Sequence, residues 1–497
     1  MSKIFYHPDI NYQDIKKIES AYNSDIEDSL VEKASEFITK EIINYVDTES
    51  KILIVCGPGF NGLDGLLVAR NLYNNDYNLK VLMTRNAHRD YISKYNLFDI
   101  IIDEKINFNN FDFIVDCIFG YGLNRELNST DINLVNAINQ SKSSVISVDI
   151  PTGLDSSTGT LLPISINCDF LITLLTYKKG LFTNQGRDTW KTISYGKLIN
   201  DDLTSDNFLL TANKNYNGTS QNNIKTKDYE QKNKYSCHKK SNGISCIVAG
   251  ESPYHGALIM SCNAAMQTGC QYLHVITEPE YAHSLPLIIP EIISSSFSHS
   301  MFAKSIKNFS NILVGPGILL KGKEFVKIAL DNLDSLNSLI VDAGGLIHLD
   351  KNKKYSKKLI ITPHPGEAAE LLNISSADVQ ADRYKSVADL QRLFNCIVIL
   401  KGYNCIVILK GSGTIIYDGK NFYTCMDGNY RMAVAGMGDI LSGILLSELS
   451  SSRDNIEACI KSVVYHSYSS DYLLTNSKNK NYLPSMIPKI YSELTNL

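Results

Sequence analysis

Acidic and hydroxyl side chains follow two apolar runs of the sequence, at positions where buried strands would end. Asp116 follows the run in "FDFIVDCIFG", and Asp149 and Thr152 follow the run in "SSVISVDIPTG". A carboxylate at such a place must be hydrated, hydrogen-bonded or bound to a cation, because an unpaired buried charge is costly. Asn61, Asp116 and Thr152 supply only oxygen ligands, which suit a hard cation rather than zinc. Capping or turn bonding by Asp149 ahead of Pro151 is the alternative.

The stretch "MAVAGMGDILSGILL" (432–446) places Gly436, Gly438 and Asp439 just before an apolar helical run. Glycines at the start of a helix leave N–H groups free to face an anion such as a phosphate. Asp439 would then lie in the first helical turn, placed to take the proton from a hydroxyl group that attacks phosphorus. A glycine-containing loop with Asp439 as the helix N-cap explains the same residues.

Three further segments carry candidate ligand contacts. The glycine-rich turn "GPGFNGLDG" (57–65) can bring backbone N–H groups to a phosphate, although plain turn chemistry explains it as well. His364 lies between two prolines in "TPHPGE", which fixes its backbone at a strand end and favours ligand contact over simple packing. Gly315 and Gly317 in "VGPG" either permit close ligand approach or form a turn.

An α/β scaffold must bring these residues together, and both halves of the sequence have its pattern. Short apolar runs that end in Gly or Pro alternate with segments of helical periodicity, which predicts βαβ units and mostly parallel sheets. Such sheets bind ligands beyond the carboxyl ends of their strands, where the candidate residues stand. The polar stretch 213–236 predicts a linker between domains at 1–212 and 237–497.

Composition argues against several functional classes. The net charge of −4 offers no excess of positive charge for general nucleic-acid binding. We find no apolar run long enough to cross a membrane and no apolar signal segment at the N-terminus. The 11 cysteines include no CxxC pair and are typical of reduced, buried residues. We therefore expect a cytoplasmic protein.

Residues 394–411 contain one strand twice, "FNCIVILKG" and then "YNCIVILKG". Both copies cannot occupy one place in a sheet, and a slip by this odd number of positions would invert which side chains face each helical layer. We expect one copy in the sheet and the other in a hairpin arm or loop, both partly buried because exposing their apolar side chains is costly. Lys410 is favoured over Lys401 as the ligand-binding lysine, because Gly-Ser-Gly-Thr follows it.

These motifs resemble those of the bifunctional NAD(P)H-hydrate repair enzymes. In that family a Rossmann-like three-layer epimerase domain precedes a ribokinase-like, ADP-dependent dehydratase domain. The resemblance covers nearly all of both halves and fails only in the linker. Its motifs are "FNGLDG", "VDCIFGYGLNR" and "VDIPTGLD" in the first half, and "GISCIVAGESPYHGALIMSCNAAMQTG", "VGPG", "TPHPGE", "LKGSGT" and "AGMGDILSG" in the second. It implies epimerisation of the R and S hydrates of NADH and NADPH by residues 1–212, and dehydration of the S epimer by residues 237–497.

For the first half the resemblance implies a potassium ion bound by Asn61, Asp116 and Thr152, with Asp149 as the acid/base. The implied contacts to the hydrate are Phe60, Asn61, Gly62, Leu63, Asp64, Gly120, Tyr121, Gly122, Leu123, Asn124, Arg125, Glu126 and Asp149. Two of these residues depart from the family. Phe60 replaces Asn and Leu63 replaces Gly, so that the loop loses an amide and gains bulk.

For the second half the resemblance implies that Asp439 is the base when ADP, with Mg²⁺, phosphorylates the ring hydroxyl before phosphate leaves. The implied contacts to the hydrate are Ala257, Gly315, His364 and Asp439, and those to ADP are Lys410, Gly411, Ser412, Gly413, Thr414 and Gly438. Here too the sequence departs from the family. "VDAGGLIHL" lacks the second Asp of Asp-Ala-Asp-Ala-Leu, and Ala435 begins the glycine run before Asp439.

Two alternatives stay open. One is a ribokinase-like kinase for a vitamin or sugar alcohol, with a first domain that only binds a nucleotide; the strand-end motifs of the first half disfavour it. The other is an interaction scaffold with an inactive epimerase-like domain. The expected partners are hydrated NADH and NADPH, ADP and further copies of the chain in a homo-oligomer, without nucleic acid or membrane.

Overall fold

The computed structural model describes most of the chain as two compact units. The described residues are 3–10, 12–22, 30–102, 106–199, 203, 205, 207–213, 225–228, 243–394, 397–400, 413–452, 454–476 and 482–496. Of these, residues 7–209 form one unit, here called the smaller unit. Residues 3–6, 210–213 and those from 225 onwards form the larger unit. No helix within the described ranges has the length and apolar character needed to cross a membrane.

Strands and helices alternate through most of the chain. The strands are β1 (Lys3–Pro8), β2 (Ile52–Cys56), β3 (Leu79–Met83), β4 (Ile101–Ile102), β5 (Phe113–Cys117), β6 (Ser144–Val148), β7 (Cys168–Leu174), β8 (Trp190–Gly196), β9 (Phe208–Thr211), β10 (Lys225–Asp228), β11 (Ser245–Val248), β12 (Leu273–Thr277), β13 (Ile293–Ser296), β14 (Asn311–Val314), β15 (Ser338–Val341), β16 (Leu359–Ile361), β17 (Ile397–Leu400), β18 (Ile415–Tyr417) and β19 (Phe422–Cys425). The helices are α1 (Tyr12–Tyr22), α2 (Leu30–Tyr45), α3 (Phe60–Asn74), α4 (Arg89–Lys94), α5 (Ser129–Asn139), α6 (His255–Gln267), α7 (Pro279–Ile288), α8 (His299–Ser305), α9 (Gly322–Asp331), α10 (Pro365–Leu372), α11 (Ser376–Ala381), α12 (Arg383–Phe394), α13 (Met437–Ser451), α14 (Asn455–Asn476) and α15 (Ile487–Asn496).

The smaller unit is built on a 7-stranded sheet in the order β4-β3-β2-β5-β6-β7-β8, and its strand pairs are parallel. Every residue of β2 is buried, as expected for a parallel strand that is covered on both faces. Strand β5 runs between β2 and β6, so that the carboxyl ends of these three strands meet at one edge of the sheet. The loops that carry the candidate residues of the first half begin at this edge.

The larger unit contains a 12-stranded sheet in the order β10-β1-β9-β19-β18-β17-β16-β15-β14-β11-β12-β13. Strands β11 to β17 form only parallel pairs with one another, whereas β18 pairs antiparallel with both β17 and β19. Isoleucine, leucine and valine side chains of β14, β15 and β16 lie in one hydrophobic core with residues of α9, α10 and α12. The two α/β units confirm the fold class that the alternating pattern predicts.

The first copy of the duplicated segment supplies the strand in the sheet. Residues 397–400 form β17, in which Ile397 is paired with Ile360 of β16 and Leu400 is paired with Ile415 of β18. Residues 401–412, which include Lys401, Lys410 and the rest of the second copy, lie outside the described residues. The preference for Lys410 therefore stays a prediction.

Part of the predicted linker is a strand. Residues 225–228 form β10, which pairs antiparallel with β1 from the start of the chain. Residues 3–6 and 210–212 also belong to the larger unit, although the predicted boundaries place them in the first domain. Strand β10, at the edge of the sheet, has the sequence KTKD and carries no apolar run, so the sequence gives no sign of its pairing.

Candidate active sites

The smaller unit holds a cavity of about 490 Å³ where the loops after β2, β5 and β6 converge. Most contacts predicted for the first half line it, namely Phe60, Asn61, Asp64, Gly120, Tyr121, Gly122, Leu123, Asn124, Arg125 and Asp149. Gly62, Leu63 and Glu126 do not line it. Leu63 is buried in α3, so its bulk stays out of the cavity, whereas the Phe60 ring at the start of α3 is 63% exposed.

Two glycines allow the cavity walls to approach each other. A Cβ atom at Gly62 would lie 1.9 Å from the carbonyl oxygen of Gly57, so this residue holds the turn after β2 close to α3. A Cβ atom at Gly120 would lie 2.8 Å from Oδ2 of Asp149 and 3.4 Å from Cβ of Asn61. Gly120 therefore allows the loop after β5 to lie close to the side chains of Asp149 and Asn61.

The Asp116 carboxylate is fully buried and takes four hydrogen bonds. Its Oδ1 accepts from Thr152 Oγ1 at 2.7 Å and from the Ile118 amide at 3.2 Å, and its Oδ2 accepts from Ser147 Oγ and the Thr152 amide, each at 2.9 Å. Burial raises the pKa of Asp116, and these hydrogen bonds act in the opposite direction. Asp116 thus fixes the loop that contains Thr152 to the end of β5.

Of the three predicted potassium ligands, Asp116 and Thr152 are bonded to each other, whereas the side chain of Asn61 has no hydrogen bond among the described residues. The residue is buried in the first turn of α3, and neither its Oδ1 nor its Nδ2 atom has a partner among the described residues. A buried amide without partners is unusual in a folded protein and indicates that a ligand or ion completes its contacts. Asn61, Asp116 and Thr152 were predicted as one ligand set. The structure places Thr152 against Asp116, and it places Asn61 in the wall of the same cavity as Asp149.

Asp149 lies in the cavity wall and is bonded to a lysine that the sequence analysis missed. Its backbone is left-handed, with φ of +69°, and its carboxylate accepts hydrogen bonds from the Tyr121 amide at 2.9 Å and from Lys178 Nζ. Lys178 follows β7, the neighbour of β6, in the segment "TYKKG". The strand-end rule that selected Asp149 would have selected Lys178 too. Helices α1 and α2 also line the cavity, through Lys16 and Leu30 among others.

In the larger unit three residues predicted for the second half, Gly315, His364 and Thr414, lie along one edge of the sheet. Gly315 follows β14 and His364 follows β16, both at the carboxyl ends of parallel strands. Thr414 precedes β18, whose first residue is paired with the last residue of β17, so it lies at the same edge. Ala257 lies in the first turn of α6. Lys410, Gly411 and Ser412 lie outside the described residues.

Helix α13 begins after a glycine, Gly436, whose backbone conformation would strain any other residue. Gly436 is the N-cap, with φ of +91°, and Gly438 and Asp439 lie in the first turn, as predicted. Two contacts hold this turn: Ser261 Oγ of α6 donates to the Asp439 carbonyl at 3.1 Å, and Ser442 Oγ donates to the buried Asp342 carboxylate. Asp342 directly follows β15, so α13 is fixed to the strand edge that carries Gly315 and His364.

The missing second Asp of "VDAGG" has a steric reason. A Cβ atom at Gly344 would lie 1.8 Å from the carbonyl oxygen of Ile318, so no side chain fits there in this backbone. The loop of Gly315 and Gly317 therefore approaches the segment after β15 more closely than a second Asp would allow. Gly315 itself has φ of +132°, and a Cβ atom there would lie 1.7 Å from the Asp342 carbonyl oxygen.

His364 caps the helix that follows it. Its Nδ1 accepts hydrogen bonds from the Gly366 and Glu367 amides of α10, at 3.0 and 3.3 Å, while the Glu367 carboxylate accepts from the His364 amide at 2.8 Å. This capping box orients the ring and leaves the side chain 42% exposed. A ligand contact by His364 stays a prediction.

Comparison with known proteins assigns the family. The family model described as NAD(P)H-hydrate dehydratase matches residues 245–493, and the model described as YjeF-related protein N-terminus matches residues 27–180. The chain is 31% identical to the bifunctional NAD(P)H-hydrate repair enzyme Nnr of Vibrio cholerae over 393 residues, which are 78% of this chain and 75% of that protein. The chain belongs to the family of bifunctional NAD(P)H-hydrate repair enzymes.

Other relatives agree. The repair enzyme of the same name from Coxiella burnetii is 29% identical, with 88% of this chain and 89% of that protein aligned. Among solved structures, the ADP/ATP-dependent NAD(P)H-hydrate dehydratase from Bacillus subtilis, co-crystallised with ATP/Mg²⁺, aligns with 53% of this chain and 93% of its own at 22% identity and a TM-score of 0.47. The prediction of a two-activity repair enzyme is confirmed. The alternative of a plain kinase is not favoured, because the bifunctional repair enzymes of V. cholerae and C. burnetii align with most of this chain.

Proposed function

We propose that the smaller unit interconverts the R and S epimers of hydrated NADH and NADPH, and that the larger unit dehydrates the S epimer at the expense of ADP. The observation that carries the first activity is the cavity whose wall contains the Asp149 carboxylate, held by Tyr121 and Lys178. Inversion at the hydroxyl-bearing ring carbon requires that a bond to that carbon break and re-form on its other face. Transfer of the hydroxyl proton to one oriented carboxylate lets the ring C–N bond open to an aldehyde, with the bonding electrons and then the proton passing to the ring nitrogen, and the reverse step closes the ring on the other face.

In this proposal Asp149 is the acid/base of the epimerase and the other cavity residues bind the hydrate. Residues 120–125 line the cavity, and Phe60 and Asn61 line it from the start of α3. Gly62, Leu63 and Glu126 do not line the cavity, so we assign them no direct contact with the hydrate. The assigned contact set is therefore narrower than the family resemblance implies.

We assign potassium binding to Asn61, Asp116 and Thr152. Their oxygen atoms suit a hard cation, and the unpartnered Asn61 amide is the observation that favours one. A bound potassium ion would supply positive charge beside the anionic parts of the substrate. The protein's own contribution is to keep the Asp116 carboxylate and the Thr152 hydroxyl oriented by their mutual hydrogen bonds.

In the larger unit Asp439 takes the proton from the ring hydroxyl as its oxygen attacks the terminal phosphorus of ADP, and AMP leaves. The C–O bond of the phosphorylated intermediate then breaks, phosphate departs, and loss of a ring proton restores the double bond of the reduced nicotinamide. Ala257, Gly315 and His364 would contact the hydrate. Lys410–Thr414 and Gly438 would hold ADP, whose phosphates bind Mg²⁺. The left-handed N-cap at Gly436 supports an anion site at the start of α13.

We further propose a cytoplasmic homo-oligomer. All eight cysteines within the described residues are free and buried, which fits a reducing compartment. Burial raises the pKa values of these thiols, for example that of Cys168 to about 12, so they are unreactive at neutral pH.

Two matched variants test the proposed function. The purified chain is incubated with separated R and S epimers of hydrated NADH, with and without ADP and Mg²⁺, and the epimers and NADH are followed by chromatography and absorbance. We expect Asp149→Asn to abolish epimer exchange but spare dehydration of the S epimer, and Asp439→Asn to do the reverse. A folded wild-type protein that recovers no NADH from the S epimer would contradict the dehydratase assignment, and one that leaves pure R epimer unchanged would contradict the epimerase assignment.

A further inference from the structure

The cavity wall contains a buried ion pair between Lys178 and Asp149. Both residues line the cavity, and their exposed fractions are 5% and 6%. Lys178 belongs neither to the predicted contacts nor to the ligand set of Asn61, Asp116 and Thr152. A buried lysine is rare unless it is paired, and here the partner is the carboxylate assigned to proton transfer.

The three N–H groups of the Lys178 ammonium group have an acceptor each. They donate to Oδ1 of Asp149, to the Leu174 carbonyl oxygen at 2.6 Å and to Thr173 Oγ1 at 3.3 Å. Since an ammonium group has three donors and no acceptor, this arrangement uses all of them and fits the charged form. Lys178 has no N–H left to donate to a substrate, which argues against a role as a direct acid or nucleophile.

The Asp149 carboxylate is held from its other side by the backbone. Oδ2 accepts from the Tyr121 amide, and the Asp149 amide donates to the Ile172 carbonyl oxygen at 2.7 Å. The left-handed backbone of Asp149 is rare for a residue other than glycine and persists only where surrounding contacts enforce it. Lys178 and Tyr121 together fix the plane of the carboxylate, while each oxygen keeps a further lone pair for a ligand.

We propose that Lys178 is a positioning residue of the epimerase reaction, which holds Asp149 ionised and aimed at the ring hydroxyl of the hydrate. This inference rests on the proposed epimerase function. Without the ammonium group a buried carboxylate loses its compensating charge and takes up a proton instead. Asp149 then cannot accept the hydroxyl proton, and the reaction stops although the cavity persists.

The experiment compares Lys178→Met and Lys178→Arg with Lys179→Met. Lys179 is the adjacent lysine; it is paired with Asp9 at 3.4 Å and does not line the cavity. Exchange between the epimers of hydrated NADH is measured from pH 5 to 9 in the full chain, and dehydration of the S epimer in the same sample reports the state of the larger unit. The other titratable groups in the cavity wall are unchanged in all variants: Lys16, Asp64, Tyr121 and Arg125.

We expect Lys178→Met to lower kcat on the order of 100-fold with little change in KM, and to move the acidic limb of the pH–rate profile to higher pH. Lys178→Arg should keep the acidic limb near its wild-type position and recover part of kcat, and Lys179→Met should match the wild type. A loss of activity in Lys178→Met with an unshifted acidic limb and no recovery in Lys178→Arg would overturn the proposal, because that pattern reports a structural defect alone. Wild-type kcat in Lys178→Met would also overturn it.

A second readout does not need turnover. Carbon-13 NMR of the chain labelled at aspartate carboxyls follows the Asp149 signal, assigned through its absence in Asp149→Asn. We expect the Asp149 signal to differ between the wild type and Lys178→Met at the same pH, because the buried carboxylate has lost its ion-pair partner. Identical Asp149 signals in the two proteins would overturn the proposal even if the wild type showed no epimerase activity. Inactivity of the wild type alone would count against the proposed function.

Discussion

Replacing Gly120 by alanine tests whether the position of the Asp149 carboxylate limits the epimerase reaction. The added Cβ atom would lie 2.8 Å from Asp149 Oδ2, whereas ordinary contacts begin at 3.4 Å, so the carboxylate or the loop must move by about 0.6 Å (3.4 − 2.8). The carboxylate cannot move freely because Lys178 and the Tyr121 amide hold its two oxygens. Misplacement of this size should lower kcat for epimer exchange by roughly 10-fold or more, since about 1 Å can cost 100-fold.

The matched control is Gly59→Ala. Gly59 lines the same cavity with φ of −95°, and a Cβ atom there meets nothing within 4 Å. Each variant is given pure R epimer of hydrated NADH without ADP, and formation of the S epimer is followed by chromatography. Gly59→Ala should behave as the wild type, and both variants should dehydrate the S epimer normally. Wild-type kcat in a folded Gly120→Ala protein would refute the argument that Asp149 needs its observed position.

Two further outcomes follow from buried polar groups. The rate of epimer exchange should rise with KCl at constant ionic strength and fall when the potassium ion is replaced by a bulky organic cation. Asn61→Leu should weaken this dependence on potassium. Equal rates in both salts would count against the cation site. Burial, and then the charge of Asp471, raises the pKa of Asp427 from 3.8 to about 8. The folded chain keeps this proton while the unfolded chain loses it, so the free energy of unfolding should fall as pH rises, by about 1.4 kcal/mol per unit between these values. Between pH 6 and pH 8 the free energy of unfolding of the larger unit, measured with urea, should therefore fall by about 2–3 kcal/mol more in the wild type than in Asp427→Asn. Parallel curves for the two proteins would contradict this prediction.

The sequence predicts the parts of the site that obey one topological rule. Parallel strands end at the same edge of a sheet, so apolar runs followed by Asp116 and Asp149 are enough to place both carboxylates near one crevice. Lys178 follows the next strand, four positions after the end of β7, and obeys the same rule. The same rule does not predict which helices cover the crevice. Lys16 and Leu30 reach the cavity through the packing of α1 and α2, which no local pattern encodes.

The sequence could not predict how distant segments complete the larger sheet. Strands β1, β9 and β10 come from the start of the chain, from around residue 210 and from the predicted linker, yet they extend the sheet beyond β19. The Asp427 carboxylate shows why this matters: it accepts hydrogen bonds from Thr211 Oγ1 at 2.6 Å and from the Ala212 amide at 2.8 Å. The hydrogen bonds of this buried carboxylate thus come from residues more than two hundred positions away, and only the tertiary structure reveals these partners.

The departures from the family pattern fall where this backbone can absorb them. Leu63, which adds bulk to a loop that is otherwise glycine-rich, points into the core of the smaller unit and leaves the cavity unobstructed. Gly344, which stands in place of an Asp, lies against the Ile318 carbonyl oxygen, where any side chain would collide. Phe60 is the exception, since its exposed ring lies in the cavity wall where an amide is expected. Of the two changes in the smaller unit, Phe60 and Leu63, only Phe60 lines the cavity, so a difference in the substrate preference of the epimerase from the family should originate at Phe60.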